Sequence, residues 1–182
     1  MGLGLGTRLR PGGLKSVKLG SHVLPRHADI VRSRRGTPPE TPERDALEEV
    51  RAIYRELEHR PIARACTKLT ECCQFRLTGR TPQLTRGEAL LAARAVRAAG
   101  RKALPERADG ACPLLRENGT CTIYQDRPFG CRTHFCAAAG GPYARSEVLD
   151  LIRRLEMVDA QLAGTGPRSI SSALADELRR MA

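Results

Sequence analysis

Seven cysteines carry the chemistry this sequence offers: Cys66, Cys72, Cys73, Cys112, Cys121, Cys131 and Cys136. All fall within 71 residues, spaced C-x5-C-C, then 38 residues, then C-x8-C-x9-C-x4-C, and the other 111 residues hold none. Thiolate is the form in which cysteine binds zinc or iron, and a tetrahedral zinc site or an iron–sulfur cluster each takes about four such ligands. The four cysteines between Cys112 and Cys136 can be brought to a common point by a hairpin and a proline turn at Pro128, whereas the first three must arrive from a separate segment. One or two buried cysteines are ordinarily small hydrophobes, but seven grouped in this way point to metal or redox chemistry. An odd number in a chain that reads as lacking a secretion signal argues against a disulfide framework.

Residues beside the cysteines fit the same chemistry. Residues 60–136 carry 14 Lys/Arg against six Asp/Glu, so positive charge is concentrated where thiolates would need compensation. Arg127 and Arg132 bracket Cys131 and could donate to metal-bound sulfur, as outer partners that steady ligands do; ordinary surface ion pairing is the alternative. His134 lies between Cys131 and Cys136 and could replace a thiolate. No C-x2-C knuckle of the kind common in structural zinc sites is present, and this irregular spacing leans toward a cluster. Zinc stays open, because two tetrahedral sites need eight ligands and seven cysteines plus His134 make eight.

A mainly helical domain is expected to position these groups. Thr41-Pro42, an N-cap followed by proline, with acidic Glu43 and Asp45 behind it, starts a helix that should run to His59 and end before Pro61. Leu47, Val50, Tyr54 and Leu57 form its apolar stripe. Thr85 and Glu88 form a capping box that opens an alanine-rich second helix ending near Gly100. A third helix is expected after Ser146, with Val148, Leu151, Leu155, Val158 and Leu162 on one face and a stop at Gly164; a fourth should cover Ser172–Met181 with Leu174 and Leu178 inward. Between the second and third, Asn118-Gly119 separates two short apolar runs, which predicts a small hairpin with a type I′ turn. The fold class expected is therefore mainly α, a small helical domain around an irregular, metal-bound cysteine centre with one short β-hairpin.

Composition bounds the rest. The net charge is +11, and residues 1–40 carry eight Lys/Arg against two Asp/Glu together with seven of the glycines. This segment has no sustained period and is expected to be a disordered basic leader, with residues 41–182 forming the cysteine-cluster domain around a core at 66–136. His22 and His27, and the cluster of Arg32, Arg34 and Arg35, lie in the leader and read as solvated. No apolar run could cross a membrane or serve as a signal peptide, and Gly6 stands where a myristoylation site needs Ser or Thr, so a cytoplasmic protein with no membrane partner is expected. A pI near 10 with 27 arginines raises a zinc-dependent nucleic-acid module, but three Tyr, three Phe and no Trp leave few rings for base stacking, and no zinc-finger spacing occurs. The sequence offers no Ser/His/Asp order, paired carboxylates or Gly-rich nucleotide loop, so catalysis is left undecided and no protein partner can be named.

The segments Cys66 to Cys73, Cys112-Pro113-Leu114, Cys121-Thr122-Ile123-Tyr124-Gln125-Asp126-Arg127-Pro128-Phe129-Gly130-Cys131-Arg132 and Cys136 together resemble the YkgJ-type cysteine-cluster family. The resemblance implies a zinc- or iron-chelating domain with eight cysteines. Many members read C-x2-C-x2-C-C; here Leu69 stands where the second cysteine of that run would fall. If all eight were needed for two metal sites, one site would be completed by His134 or water. The family includes relatives of a flagellin lysine N-methylase, so an iron–sulfur oxidoreductase, or a component of a protein lysine methylation system, is the alternative that the resemblance implies.

Overall fold

Local signals set most of the helix ends. In the computed structural model, which describes residues 41–61, 64 and 70–182, six α-helices occur among the described residues: α1 (Pro42–Glu58), α2 (Phe75–Thr78), α3 (Arg86–Ala98), α4 (Phe129–Thr133), α5 (Leu149–Gln161) and α6 (Ile170–Arg180). Two short strands, β1 (Gln83–Leu84) and β2 (Arg168–Ser169), pair antiparallel, with Gln83 opposite Ser169 and Leu84 opposite Arg168. The leader at 1–40 lies outside the described residues, with His22, His27 and the Arg32, Arg34, Arg35 cluster. So does Cys66.

The Thr41 hydroxyl accepts the Arg44 N–H at 3.2 Å and caps α1, whose buried face is Ala46, Leu47, Val50, Ile53, Tyr54 and Leu57. Helix α3 lies at the centre. Its Leu90 and Leu91 join the apolar faces of α1 and α5, while Ala89, Ala92, Ala93 and Val96 share a second core with Ile170, Leu174 and Leu178 of α6. An alanine-rich helix suits this place because small side chains let neighbours approach from both sides.

The tightest approach is at Gly87, where an added Cβ would stand 2.7 Å from Val158 Cγ1 and 3.1 Å from Val50 Cγ2. Alanine gains about 1 kcal/mol of helix propensity over glycine, but overpacking costs about 1–3 kcal/mol. Gly87→Ala is therefore expected to lower stability by about 1 kcal/mol, read as a reduced urea midpoint with an unchanged m-value; a rise in the midpoint would show that α1 and α5 move apart freely.

Three boundaries differ from the sequence reading, each for a local reason. Helix α5 begins at Leu149, because Arg145–Glu147 form a 3-10 turn first, closed by the Glu147 carboxylate accepting the Ala144 N–H at 2.6 Å. Helix α6 begins at Ile170, since the Ser169 side chain caps it and β2 runs directly into it. At Asn118-Gly119 the chain turns back, with the Thr122 N–H donating to Leu114 O (2.8 Å) and a single antiparallel bridge between Leu115 and Cys121. Only Gly119 has positive φ (+76°), so this is not a type I′ turn. The Gly119 N–H donates to Arg116 O at 3.0 Å and the Arg116 N–H to Thr120 O at 2.8 Å, a three-residue loop with glycine in the left-handed position. Asn118 instead ties the loop through its side-chain oxygen, which accepts from the Thr120 N–H and hydroxyl.

Candidate metal centre

Four short segments bring the cysteines in. Cys72 and Cys73 occupy a 3-10 turn, Glu71–Cys73, entered through Thr70 at φ +59°. The Cys112 N–H donates to Cys73 O at 2.7 Å and so stitches the second cysteine segment to the first. Cys121 is held by its bridge to Leu115, and Cys131 sits in α4, where its N–H donates to Pro128 O at 2.9 Å. Cys72, Cys73, Cys112, Cys121 and Cys131 all line one cavity of about 970 Å³, and His134 lines it too. Cys136 precedes another 3-10 turn, its carbonyl accepting from Ala139 and Gly141, and it does not line that cavity.

The electrostatics are those of thiols crowded together. Burial pushes the Cys112 thiol up to about 11, and it pushes Cys131 up further, with Cys112, Cys121 and Cys72 adding to the effect. Cys121 is also raised by burial. The Cys72 and Cys73 sulfurs lie 3.9 Å apart and share a hydrogen bond that draws Cys72 down and Cys73 up, so the pair gives up one proton readily and keeps the second. Against burial, the nearby backbone groups of Leu114 and Leu115 lower the Cys112 thiol and that of Ile123 lowers Cys121, which favours thiolate. A soft cation fits this donor set: it would displace the protons and remove the mutual repulsion, and thiolates select zinc, copper(I) or iron–sulfur clusters. Among the described residues, no three Cys, His, Asp or Glu side chains are drawn together closely enough to form a coordination shell. The sulfurs surround a volume.

Arg127 and Arg132 part company. Arg127 lines the cavity, with its guanidinium 4.1 Å over the Tyr124 ring, and its charge lowers Cys72 and Cys121. Arg132 is buried and faces the helices: Nε donates to Arg127 O at 2.8 Å, the two terminal nitrogens meet Glu58 and Gln125 O, and the guanidinium lies 4.3 Å over the Tyr54 ring. It holds the 125–127 turn to α1. Burial, and then Arg80, lowers the His134 pKa, which keeps the imidazole neutral and able to act as a ligand.

The sequence reading missed a second function of Glu88. Its carboxylate closes the α3 capping box on Thr85 and also accepts the Phe129 N–H (2.8 Å) and the Tyr54 hydroxyl (3.2 Å), which fixes the start of α4 two residues before Cys131. A capping box is legible in sequence; a partner 41 residues away is not.

Neither the curated proteins nor the solved structures provide a match to this chain. No helix among the described residues is long and apolar enough to cross a membrane. Residues 65–150 match the model of the CxxCxxCC family, described as "Putative zinc- or iron-chelating domain", and it is the cysteine-bearing segment of this chain that is similar to that family.

Proposed function

We propose that the chain is a metalloprotein whose cysteine lobe holds an iron–sulfur cluster, with ligands drawn from Cys72, Cys73, Cys112, Cys121 and Cys131. The observation that carries this reading is that five thiols line one cavity while no three donors are drawn into a ready coordination shell. A polynuclear centre takes its thiolates on several irons, whereas tetrahedral zinc needs four donors within about 2.3 Å of one ion. When bound, the cluster supplies one-electron chemistry and folding energy. The chain's own residues supply the rest: the backbone at Leu114, Leu115 and Ile123 favours the thiolate form of Cys112 and Cys121, Arg127 offsets thiolate charge, and Glu88 and Arg132 fix the segment that carries Cys131. Residues 41–182 are the unit that performs this function, and a cytoplasmic setting would keep the thiols reduced.

Anaerobic purification of the full chain, with elemental analysis for iron, zinc and acid-labile sulfide and an absorption spectrum of the same sample, tests the reading. Iron and sulfide in near-equal amounts with broad visible absorption are expected. Stoichiometric zinc in a colourless solution would overturn the cluster and leave chelation by the same cysteines. Cys131→Ser should weaken metal binding by more than the roughly 10–100-fold typical of losing an outer partner, while Cys136→Ser should retain the metal. Equal loss in both variants would mean that Cys136 is a ligand.

A further inference from the structure

The cavity is larger than a metal centre requires. Its sulfurs already form part of the wall, yet the cleft, which is open to solvent, offers about 970 Å³, near the top of the roughly 300–1,000 Å³ range of sites that hold whole organic molecules. The wall is asymmetric in charge. No Asp or Glu is among the described residues that line it, but Arg80 and Arg127 are. Neither guanidinium is paired with a carboxylate among the described residues, and the buried Arg127 Nε–H finds no hydrogen-bond acceptor there. Phe75, Pro82 and Phe135, each partly exposed, supply an apolar surface on the same cavity, backed by the buried Leu114, Leu115 and Ile170.

We propose that this cavity binds a small organic anion beside the metal, its apolar body against the partly exposed Phe75, Pro82 and Phe135 and its negatively charged head at Arg80 and Arg127. Compensation of thiolate charge accounts for only part of the arrangement. Arg127 lies over the Tyr124 ring, whereas Arg80 follows α2, so the two cations reach the wall from different parts of the chain. The anion site shares its wall with the metal centre proposed above but does not depend on it.

The test uses the full chain as purified, with 1-anilinonaphthalene-8-sulfonate as the anionic probe and N-phenyl-1-naphthylamine, the same rings without the sulfonate, as its neutral counterpart. Metal content and a cooperative melt are recorded for every sample. Saturable one-to-one binding of the anionic probe is expected, weakened at least tenfold in the Arg80→Gln/Arg127→Gln double variant, with binding of the neutral probe unchanged. If the double variant melts without cooperativity, Arg80→Gln alone decides, because Arg80 is exposed and its loss leaves the fold intact; a selective loss of at least threefold for the anion is expected. Unsaturable binding, or equal affinity in wild type and variants, overturns the proposal. So does a variant that loses metal or shifts its sulfur-to-metal absorption while the anionic probe binds as before, since the arginines then serve the thiolates. Arginine-dependent anion binding by a sample without metal would sink the metal reading and support the anion site.

Discussion

Removing the metal from the full chain under reducing, anaerobic conditions is expected to lower its Tm by about 10–20 °C and to open the cysteine lobe before the helices. The two cores differ in what holds them. The one shared by α1, α3 and α5 contains Leu47, Val50, Ile53, Leu91, Leu151, Leu155 and Val158 and no cysteine, while the one beneath α6 includes Cys112, with Cys73, Cys121 and Cys131 packed against it. Outside the helices, the cysteine segments have short 3-10 turns and one isolated bridge to hold them. A thiolate-bound metal can contribute about 10–16 kcal/mol; losing even a third of that, at roughly 2–4 °C per kcal/mol for a chain of this size, gives the shift. Hydrogen exchange should locate the change, with protection lost first at 70–81 and 110–136 and retained in α1, α3 and α5. An apo protein with the melting temperature of the loaded one would show that metal has no structural role.

The helices were legible because their signals are local. Thr41-Pro42, the Thr85/Glu88 box and the stripes on α1, α5 and α6 each lie within a few residues of what they control. The turn at Asn118-Gly119 shows where local reading stops: both residues tolerate positive φ, but the Asn118 side chain bonds to Thr120 and leaves Gly119 alone in that region. At the candidate metal centre, the spacing predicts a common point for Cys112, Cys121, Cys131 and Cys136; the first three line one cavity and Cys136 does not line it. Arg127 and Arg132 bracket Cys131 in sequence, but Arg127 lies in the extended backbone before α4 and Arg132 within that helix, which puts Arg132 among Glu58, Gln125 and Tyr54. The strand pair was not legible at all, since Gln83–Leu84 and Arg168–Ser169 are two residues each and lie on either side of α3 and α5 in the chain.

Glu88→Ala is expected to cost about 3–5 kcal/mol and to loosen Cys131 along with it. The substitution strands the Phe129 N–H, the Tyr54 hydroxyl and the Thr85 N–H and hydroxyl in a buried site, each at roughly 1–3 kcal/mol less whatever water or rearrangement recovers. Glu88→Gln should cost less, because one oxygen still accepts while the amide faces donors. The pH dependence separates charge from geometry. Burial raises the Glu88 carboxyl above its ordinary 4.5 despite the four donors that lower it. The groups facing it are Tyr54 from α1 and Cys131 from α4, with Arg132 stacked over the Tyr54 ring. A carboxyl that holds its proton more tightly when folded stabilises the fold most below the unfolded value, and that contribution is lost as pH rises through the folded one. The stability of wild type relative to Glu88→Gln should therefore fall as pH rises above about 4.5, measured by urea unfolding at several pH values with equal metal content. A relative stability that increased with pH would mean that the four donors outweigh burial, and that Glu88 holds α4 as a fully ionised carboxylate.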